Sequence, residues 1–557
     1  MNFDHIVIGG GTAGCLAAGK LATGHGARVL VLEAGPDDRN PLIRMPAGFV
    51  KLLGVEKYMW FYKSVAQAGL GGRTPIMPQG RVLGGGSSVN AMVYMRGQPA
   101  DYDGWAEGIG DDQWRYDALL PYFTAMEDNA RLNDEYHGVG GPWKVSDLEH
   151  MCELSRAFVL AAQGLGLPHN GDFNGRSQRG VGAYQVTTRN GRRCSAVDAF
   201  LRPAMASGHL TVRTSCLVHS LIVENGRAVG VRYSTVGGGR TVSEARCDGE
   251  VLLAAGAIAT PKLLMLSGIG PAAHLKSHGI ETLVDLPGVG ANLQDHTETP
   301  VVALCNGPYG YYGHDRGWKQ IRNGLEYLLN RSGPVTSNGV EAGAFFDPDD
   351  LGGVPKIQQF CVPSVYLDKD HTDQQAGHGL TLNSCVARPR SRGSVQLASA
   401  DPRDQPLVDP NYLADPEDLR LTIGGVRRAR EILRQEPLRA MISREVFPGP
   451  DKVSDADLAE HARRFVKTVY HPVGTCRMSR RDDAGGVLDN NMRVRGVEGL
   501  RVIDASAIPT IISGNTNAAV LVVADKAVEF MTGGTRRKPA GVSSFSPPPS
   551  GSMTAAI

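Results

Sequence analysis

The chain has 557 residues, with 58 lysines and arginines against 57 aspartates and glutamates. This length exceeds what a single hydrophobic core usually serves, so we expect at least two domains. The balanced charge gives no indication of a nucleic-acid or membrane-surface partner, for which a strongly basic chain would be typical.

The nine cysteines are scattered and never form a CxxC pair. An odd number without paired spacing is typical of a reduced intracellular protein and predicts neither a disulfide framework nor a metal site. No leader peptide precedes the first predicted strand, and the most apolar run, 251–270, is interrupted by Pro261 and Lys262. We therefore expect a cytoplasmic protein without a membrane span.

The first fourteen residues, MNFDHIVIGGGTAG, carry the pattern of a dinucleotide site. A short β-branched run leads directly into Gly9, Gly11 and Gly14 at GxGxxG spacing, and a helical stretch follows. A second apolar run, 29–32, ends in Glu33, which lies 19 residues after Gly14, where an acid binds a ribose hydroxyl. An acid at this position favours FAD or NAD over NADP, and the motif alone leaves FAD and NAD both open.

A second glycine-rich stretch, 80–90, reads GRVLGGGSSVN and suits another close approach of backbone to a ligand. Helical spacing follows over 111–163. Further on, EVLLAA at 250–255 predicts another parallel strand, and Pro261 predicts the first turn of the helix after it.

These elements predict an α/β and α+β protein with a discontinuous, Rossmann-like dinucleotide domain and a second domain that contains a β-sheet. The first domain is expected to comprise 1–167, 190–296 and 470–533, and the second 297–469. The segment 168–189 is predicted to be a linker. The last residues, 534–557, are rich in Pro, Ser and Gly, which predicts a disordered tail.

His471 is an acid–base candidate because Pro472 stiffens its backbone and Gly474 follows in a tight loop, although chain statistics alone do not select it among the 15 histidines. Two amides, Asn515 and Asn517, lie directly before a predicted helix over 518–530. The positive end of that helix is expected to point at whatever lies before it.

With these motifs in order, the chain resembles the glucose-methanol-choline (GMC) oxidoreductases, FAD enzymes that oxidise alcohols. Four motifs carry the resemblance, which extends to about Gly533: GGGTAG with Glu33, GRVLGGGSSVNAMVYMRG at 80–97, GAIATPKLLMLSGIG at 256–270 followed by VGANLQDH at 289–296, and YHPVGTCRM with GLRVIDASAIPTIISGNTN near the C-terminus.

The resemblance implies roles residue by residue. The implied catalytic residues are His471 as base and Asn515 as its partner. The implied FAD-binding residues are Gly9, Gly11, Thr12, Ala13, Gly14, Glu33, Ala34, Arg81, Gly85, Ser87, Asn90, Ala91, Val93, Val218, Asp504 and Asn517. Some members attach the flavin to a histidine before this asparagine, whereas here Val89 precedes Asn90, so noncovalent FAD is expected.

The implied reaction is the oxidation of a primary alcohol to an aldehyde by hydride transfer to the flavin. The implied electron acceptor is dioxygen or a quinone. An NAD enzyme, a cyanohydrin lyase on the same FAD scaffold, and a binding protein with a vestigial site remain as alternatives. The second domain offers aromatic residues for the substrate pocket or for packing: Tyr309, Tyr311, Tyr312 and Trp318.

Overall fold

The structure is a computed structural model that describes residues 3–237, 241–367 and 377–534. A five-stranded parallel sheet and a seven-stranded antiparallel sheet organise these residues. The predicted α/β and α+β fold class is thereby confirmed. The predicted tail lies outside the described residues from position 535 onward.

The parallel sheet is assembled from three separate stretches of the chain. In spatial order its strands are Leu210–Arg213, Val29–Leu32, His5–Ile8, Val251–Leu253 and Leu500–Val502. Ile6 pairs with Leu30 on one side and Val251 on the other. The central strands are almost fully buried because helices cover the sheet, chiefly Thr12–Gly24, Gly256–Leu266 and Asn517–Thr532.

Two glycines make the first strand-to-helix turn possible. Gly9 has a φ of +98°, and a Cβ there would lie 2.4 Å from the Ala254 carbonyl oxygen. A Cβ on Gly14 would lie 2.0 Å from the Gly9 carbonyl oxygen. Both positions therefore require glycine, as the GxGxxG spacing predicts.

The prediction that Pro261 opens a helix is wrong. The helix begins at Gly256, five residues earlier, and Pro261 lies inside it. A proline cannot donate to the carbonyl four residues before it, here that of Ala257. The Thr475 hydroxyl donates to that carbonyl instead, at 2.6 Å, so the missing hydrogen bond is replaced from another part of the chain.

The antiparallel sheet has a helix-covered face and a face that lines a cavity. In spatial order its strands are Ile442–Phe447, Thr297–Cys305, Gly379–Val386, Ile357–Val362, Ala342–Phe346 and Gly180–Ala183, with Lys467–Thr468 beside the second. Cys361 and Leu382 belong to the core under helices Glu153–Gly164 and Pro416–Leu433. Phe360 and Asn383, one residue away in each strand, face the cavity.

The segment 168–189, predicted to be a linker, supplies strand Gly180–Ala183 at the edge of this sheet. Helix Glu153–Gly164 before it also packs on the sheet. The sequence GVGA carries almost no side-chain signal, because its glycines are needed where the Pro168 and Asn170 carbonyls lie close to the strand.

The remaining elements are shorter or peripheral. The other strands are Met59–Lys63, Ile76–Gly80, Glu127–Asn129, Trp143–Val145, Thr188–Arg189, Arg192–Arg193, Cys216–Glu224, Arg227–Thr235, Ser243–Arg246, Ile269–Gly270, Val284–Asp285, Ser394–Gln396 and Leu407–Asp409. The other α-helices are Pro41–Arg44, Phe49–Leu52, Gly86–Val89, Pro99–Ile109, Tyr116–Met126, Arg202–Ala204, Ala272–Ser277, Gly317–Asn330, Leu438–Met441 and Asp455–Phe465. Across the described ranges, no helix combines the length and apolarity needed to cross a bilayer.

Candidate active site

A cavity of about 1,090 Å³ lies between the two sheets and extends to both. Its glycine end is lined by Gly9, Gly11 and Glu33. Its histidine end is lined by His471 and Asn515. The fold thus brings residues from both termini of the chain to one enclosed space.

Glu33 anchors the glycine end. Its two carboxylate oxygens accept hydrogen bonds from the backbone N–H groups of Gly10 at 2.8 Å and Gly35 at 2.7 Å. Burial raises the pKa of Glu33 to about 7, although these N–H groups favour its charged form. A buried carboxylate with lone pairs left over is suited to accept hydrogen bonds from vicinal hydroxyls of a ligand.

Two glycine loops face each other beside Glu33. A Cβ on Gly85, whose φ is +52°, would lie 2.8 Å from the Gly11 Cα. Both glycines line the cavity, as do the N-terminal residues of helices Thr12–Gly24, Gly256–Leu266 and Asn517–Thr532. Convergent helix N-termini with bare backbone N–H groups are a binding site for phosphate groups.

Asn517 presents an unpaired polar atom to this space. Its amide nitrogen donates to the Thr12 hydroxyl at 3.0 Å, which turns the amide oxygen away from Thr12. That oxygen is buried and has no hydrogen-bond partner among the described residues. A buried acceptor without a partner in a cavity wall points to a ligand that donates to it.

Asp504 is occupied by the protein itself. Its carboxylate accepts from the Gly256 N–H at 2.8 Å, from the Thr260 hydroxyl at 2.6 Å, and from the N–H and hydroxyl of Ser506. Four donors fill the lone pairs of a carboxylate. Asp504 therefore fixes the start of helix Gly256–Leu266 with its side chain, and only its backbone is left for a ligand.

Most of the predicted cofactor residues line the cavity. They are Gly9, Gly11, Thr12, Ala13, Glu33, Ala34, Gly85, Asn90, Ala91, Val93, Val218, Asp504 and Asn517. Three others do not: Gly14 packs on Gly9, Ser87 donates to the Gly84 carbonyl at 2.6 Å, and Arg81 stacks 4.4 Å from the centroid of the Trp60 ring. These three shape the loops behind the wall.

At the histidine end, His471 and Asn515 are in contact. The Asn515 amide nitrogen lies 3.3 Å from Nε2 of His471. The Asn515 amide oxygen accepts from the Gln358 amide at 3.3 Å, which orients the nitrogen toward the histidine. The His471 backbone N–H donates to Asp295 at 2.9 Å, and Tyr470 before it is held at a φ of +68°. A non-glycine residue in the left-handed region needs such surrounding support.

A neighbouring histidine determines which nitrogen of His471 carries the proton. Nε2 of His296 lies 2.9 Å from the Ala387 carbonyl oxygen, which can only accept, so His296 is protonated on Nε2. Nδ1 of neutral His296 is therefore an acceptor, and it lies 3.0 Å from Nδ1 of His471. His471 must donate from Nδ1. Its Nε2 is left without a proton, beside Asn515 and the cavity.

The pKa values favour this neutral pair. Burial lowers the pKa of His296 to about 4. Burial and repulsion from His296 together hold the pKa of His471 well below its ordinary value of 6.5. His471 is consequently an unprotonated base over the neutral pH range, which is the state that proton abstraction requires. His296 was quoted in a motif by the sequence analysis but was given no role.

The aromatic residues considered for a substrate pocket separate into two groups. Tyr311 and Tyr312 line the cavity. Tyr309 does not, and Trp318 is 73% exposed on the outer surface. In the described part of the chain, no three His, Cys, Asp or Glu side chains are arranged to hold a metal ion, and all nine cysteines are free thiols.

Comparison with known families agrees with this geometry. Two family models match, both described as GMC oxidoreductase: the N-terminal model over residues 3–298 and the C-terminal model over 389–524. This chain belongs to the GMC oxidoreductase family. The parallel sheet and glycine end of the GMC oxidoreductase lie mainly within the first match, and His471 and Asn515 lie within the second.

Characterised relatives match this GMC oxidoreductase along most of its length. An alcohol dehydrogenase [acceptor] from Pseudomonas putida is 41% identical over 537 residues, covering 95% of each chain. An oxygen-dependent choline dehydrogenase from Brucella suis biovar 1 is 38% identical over 535 residues, covering 96% of each chain.

Solved structures give the same result for the fold. Pyridoxine 4-oxidase from Mesorbium loti superimposes with a TM-score of 0.85 at 33% identity, covering 95% of this chain and 99% of the other. Formate oxidase from Aspergillus oryzae RIB40 gives a TM-score of 0.87 at 29% identity, covering 96% and 98%. The GMC oxidoreductase is thus an enzyme that shares its overall fold with these two oxidases.

Proposed function

We propose that this enzyme binds FAD noncovalently and oxidises a neutral primary alcohol to the aldehyde, with His471 as the base. Relatives named as an alcohol dehydrogenase and a choline dehydrogenase support oxidation at a CH–OH group. The observation that carries the proposal is the hydrogen-bond chain from the Ala387 carbonyl through His296, which leaves Nε2 of His471 free of its proton at the cavity.

The cavity fits FAD. Glu33 would hold the ribose of the adenosine, the paired glycines Gly11 and Gly85 would admit the pyrophosphate, and the unpartnered Asn517 oxygen would accept from the flavin side. When bound, FAD supplies the acceptor for the hydride that leaves the alcohol carbon. The N-termini of helices Thr12–Gly24 and Asn517–Thr532 would stabilise negative charge on the bound cofactor, whereas that of helix Gly256–Leu266 is already capped by Asp504.

His471 removes the hydroxyl proton at Nε2. The Asn515 amide, oriented by Gln358, donates a hydrogen bond to the same alcohol oxygen, so the developing negative charge is shared between two groups. The Nδ1–H group of His471 donates a hydrogen bond to Nδ1 of His296. This hydrogen bond keeps the His471 imidazole from rotating or changing tautomer.

Val89 supports noncovalent attachment. It lies in the cavity wall directly before Asn90 and carries no nucleophilic atom. Acid precipitation followed by centrifugation should leave all the yellow colour in the supernatant. Colour that stays with the precipitated protein would refute noncovalent binding.

The charges near His471 favour a neutral substrate over a cationic one such as choline. Glu298 lines the cavity two residues after His296, but it is paired with the Lys467 ammonium at 3.5 Å. That ammonium also lies 3.8 Å from the centroid of the Tyr366 ring, another cavity residue. A quaternary ammonium ligand would bind to a carboxylate and an aromatic face. Here the Lys467 ammonium already contacts both groups.

A matched pair of substrates tests this assignment. Choline and 3,3-dimethylbutan-1-ol have the same shape and differ in one charge. Because Lys467 neutralises Glu298, the ammonium group of choline gains no net attraction to offset its loss of hydration, so kcat/KM for the neutral alcohol should exceed that for choline by about tenfold or more. Equal or reversed preference would refute a neutral substrate. Running each assay with dioxygen and with a soluble quinone identifies the acceptor.

A further inference from the structure

Helix Gly317–Asn330 exposes an unusual amount of apolar surface. Five of its side chains are large, apolar and about half exposed or more: Trp318 at 73%, Ile321 at 54%, Leu325 at 49%, Leu328 at 65% and Leu329 at 77%. Soluble monomers rarely present a contiguous apolar patch of this kind unless something covers it.

The orientation of this helix is inverted relative to an ordinary surface helix. At 3.6 residues per turn, the five apolar side chains fall within an arc of about 100°. The residues buried against the protein, Asn323 and Tyr327, lie on the opposite side. Asn323 lies 3.2 Å from the His314 carbonyl oxygen, to which its amide donates. A surface helix normally turns its apolar stripe toward the protein core. Here the stripe faces outward, which indicates an apolar binding partner outside the protein.

Basic residues outnumber acidic ones in the segment that carries the stripe. The segment 311–331 contains four basic residues, Arg316, Lys319, Arg322 and Arg331, against two acids, Asp315 and Glu326, whereas the whole chain carries a net charge of only +1. A helix with Trp and Leu on one face and Lys and Arg beside them is typical of helices that lie in a membrane interface. Basic residues near such a helix favour anionic lipid.

The helix that carries the stripe also forms part of the wall of the active-site cavity. Gln320, Asn323 and Gly324 of the same helix line the cavity, and so does the segment 47–51. In that segment Val50 is 60% exposed and is followed by the exposed Lys51. Two elements with exposed apolar and basic residues therefore form part of the wall of the cavity that contains His471.

We propose that the outward face of helix Gly317–Asn330, together with Val50, docks on the surface of an anionic lipid bilayer. The helix lies in the interface and does not span it. Charge favours a bilayer over a second copy of this chain, because a symmetric self-contact would place the same basic residues opposite one another. The balanced charge of the whole chain gives no sign of this local surface.

Trp318 provides a specific reporter of docking. Trp105, Trp114 and Trp143 are fully buried, and Trp60 is partly buried against Arg81. The FAD-loaded full-length protein is mixed with vesicles of phosphatidylcholine alone or with about 30 mol % phosphatidylglycerol. We expect cosedimentation with the anionic vesicles, a blue shift of tryptophan emission, and quenching by brominated acyl chains. Trp318→Phe should abolish the shift and the quenching.

The double variant Leu328→Glu/Leu329→Glu tests the stripe directly. Neither leucine lines the cavity, so turnover of a water-soluble alcohol should be unchanged while vesicle binding falls by at least about tenfold. Leu160→Glu is the matched control, since Leu160 is 55% exposed on helix Glu153–Gly164, and it should bind vesicles as the parent protein does.

Three results would overturn the proposal. The first is parent protein that stays in the supernatant with anionic vesicles at low salt. The second is a double variant that binds as well as the parent. The third is a concentration-dependent dimer, seen by sedimentation velocity without vesicles, that the double variant abolishes, because the stripe would then be covered by a second copy.

Discussion

Replacing His296 with leucine should impair His471 as a base while leaving the His471 side chain in place. Leucine keeps most of the buried volume but cannot accept the hydrogen bond that Nδ1 of His471 donates across 3.0 Å. The Nδ1–H group would then be buried without a partner, at a cost of about 1–3 kcal/mol. The imidazole escapes that cost only by rotating or by moving its proton to Nε2, and both changes remove the free lone pair from the cavity.

The expected loss follows from these numbers. A cost of 1–3 kcal/mol corresponds to about a 5- to 150-fold decrease in kcat/KM. Complete loss of general-base catalysis would give about 10²–10⁴-fold. We therefore expect His296→Leu to lower kcat/KM by about 10- to 100-fold, with the FAD content of the loaded enzyme close to the parent value.

His296→Asn is the matched control. Its amide oxygen can accept from His471, so it should recover most of the activity lost in the leucine variant. Asparagine cannot become charged, so the repulsion that helps to hold down the pKa of His471 is removed and that pKa rises. The acid limb of the kcat/KM profile, which lies below pH 6.5 in the parent, should move to higher pH in this variant.

The assay is steady-state kinetics against pH, with FAD content measured by absorbance in every preparation. A leucine variant that retains kcat/KM within about twofold of the parent would refute the tautomer argument, because a 1 kcal/mol cost already gives a larger change. An asparagine variant with an unshifted acid limb would show that His296 does not set the pKa of His471.

Three other substitutions separate the roles of the site. His471→Ala should lower turnover by at least about 10²-fold while FAD stays bound, and near-normal turnover in a steady-state assay would contradict its role as base. Glu33→Gln weakens an acceptor of the Gly10 and Gly35 backbone hydrogen bonds. The Kd of FAD in equilibrium dialysis should therefore rise by about 10- to 100-fold, with kcat at saturating FAD unchanged. A lower kcat with normal FAD affinity would contradict a role of Glu33 in FAD binding. Lys467→Met removes the ammonium group that is paired with the Glu298 carboxylate. The kcat/KM for choline relative to that for 3,3-dimethylbutan-1-ol should therefore rise by at least about tenfold. An unchanged ratio would show that Lys467 does not determine this selectivity.

Local pattern was sufficient for the elements whose chemistry is local. Gly9 and Gly14 were recognisable because a tight strand-to-helix turn leaves no room for a Cβ. All the residues that form this turn lie within the first fourteen positions of the chain. The turn between strands Cys216–Glu224 and Arg227–Thr235 is local in the same sense, because Asn225 and Gly226 both adopt the positive φ that an Asn-Gly hairpin turn requires.

Features that depend on distant pairing were not accessible in this way. His296 acquires its role only because the fold places it against His471, 175 residues further along the chain. Asp504 was implied as an FAD-binding residue, but Gly256, Thr260 and Ser506 saturate its carboxylate. Neither contact leaves a signal in the residues that flank it.

Periodicity also cannot show which face of a helix is buried. The spacing of Trp318, Ile321, Leu325 and Leu328 is that of an ordinary amphipathic helix with its apolar stripe against a core. Only the packing of Asn323 and Tyr327 against the protein reveals that this stripe points outward. Strand Gly180–Ala183 was missed for the opposite reason, since its glycines give no apolar alternation at all.

Anaerobic mixing of the FAD-loaded enzyme with a neutral primary alcohol tests the central claim most directly. If His471 and Asn515 activate the hydroxyl for oxidation, the flavin absorbance near 450 nm should bleach in a single turnover, with one equivalent of aldehyde formed per flavin. Bleaching should be slowed by at least about 10²-fold in His471→Ala. Flavin that stays fully oxidised across a panel of alcohols, while the enzyme cleaves a cyanohydrin, would contradict alcohol oxidation and favour the lyase.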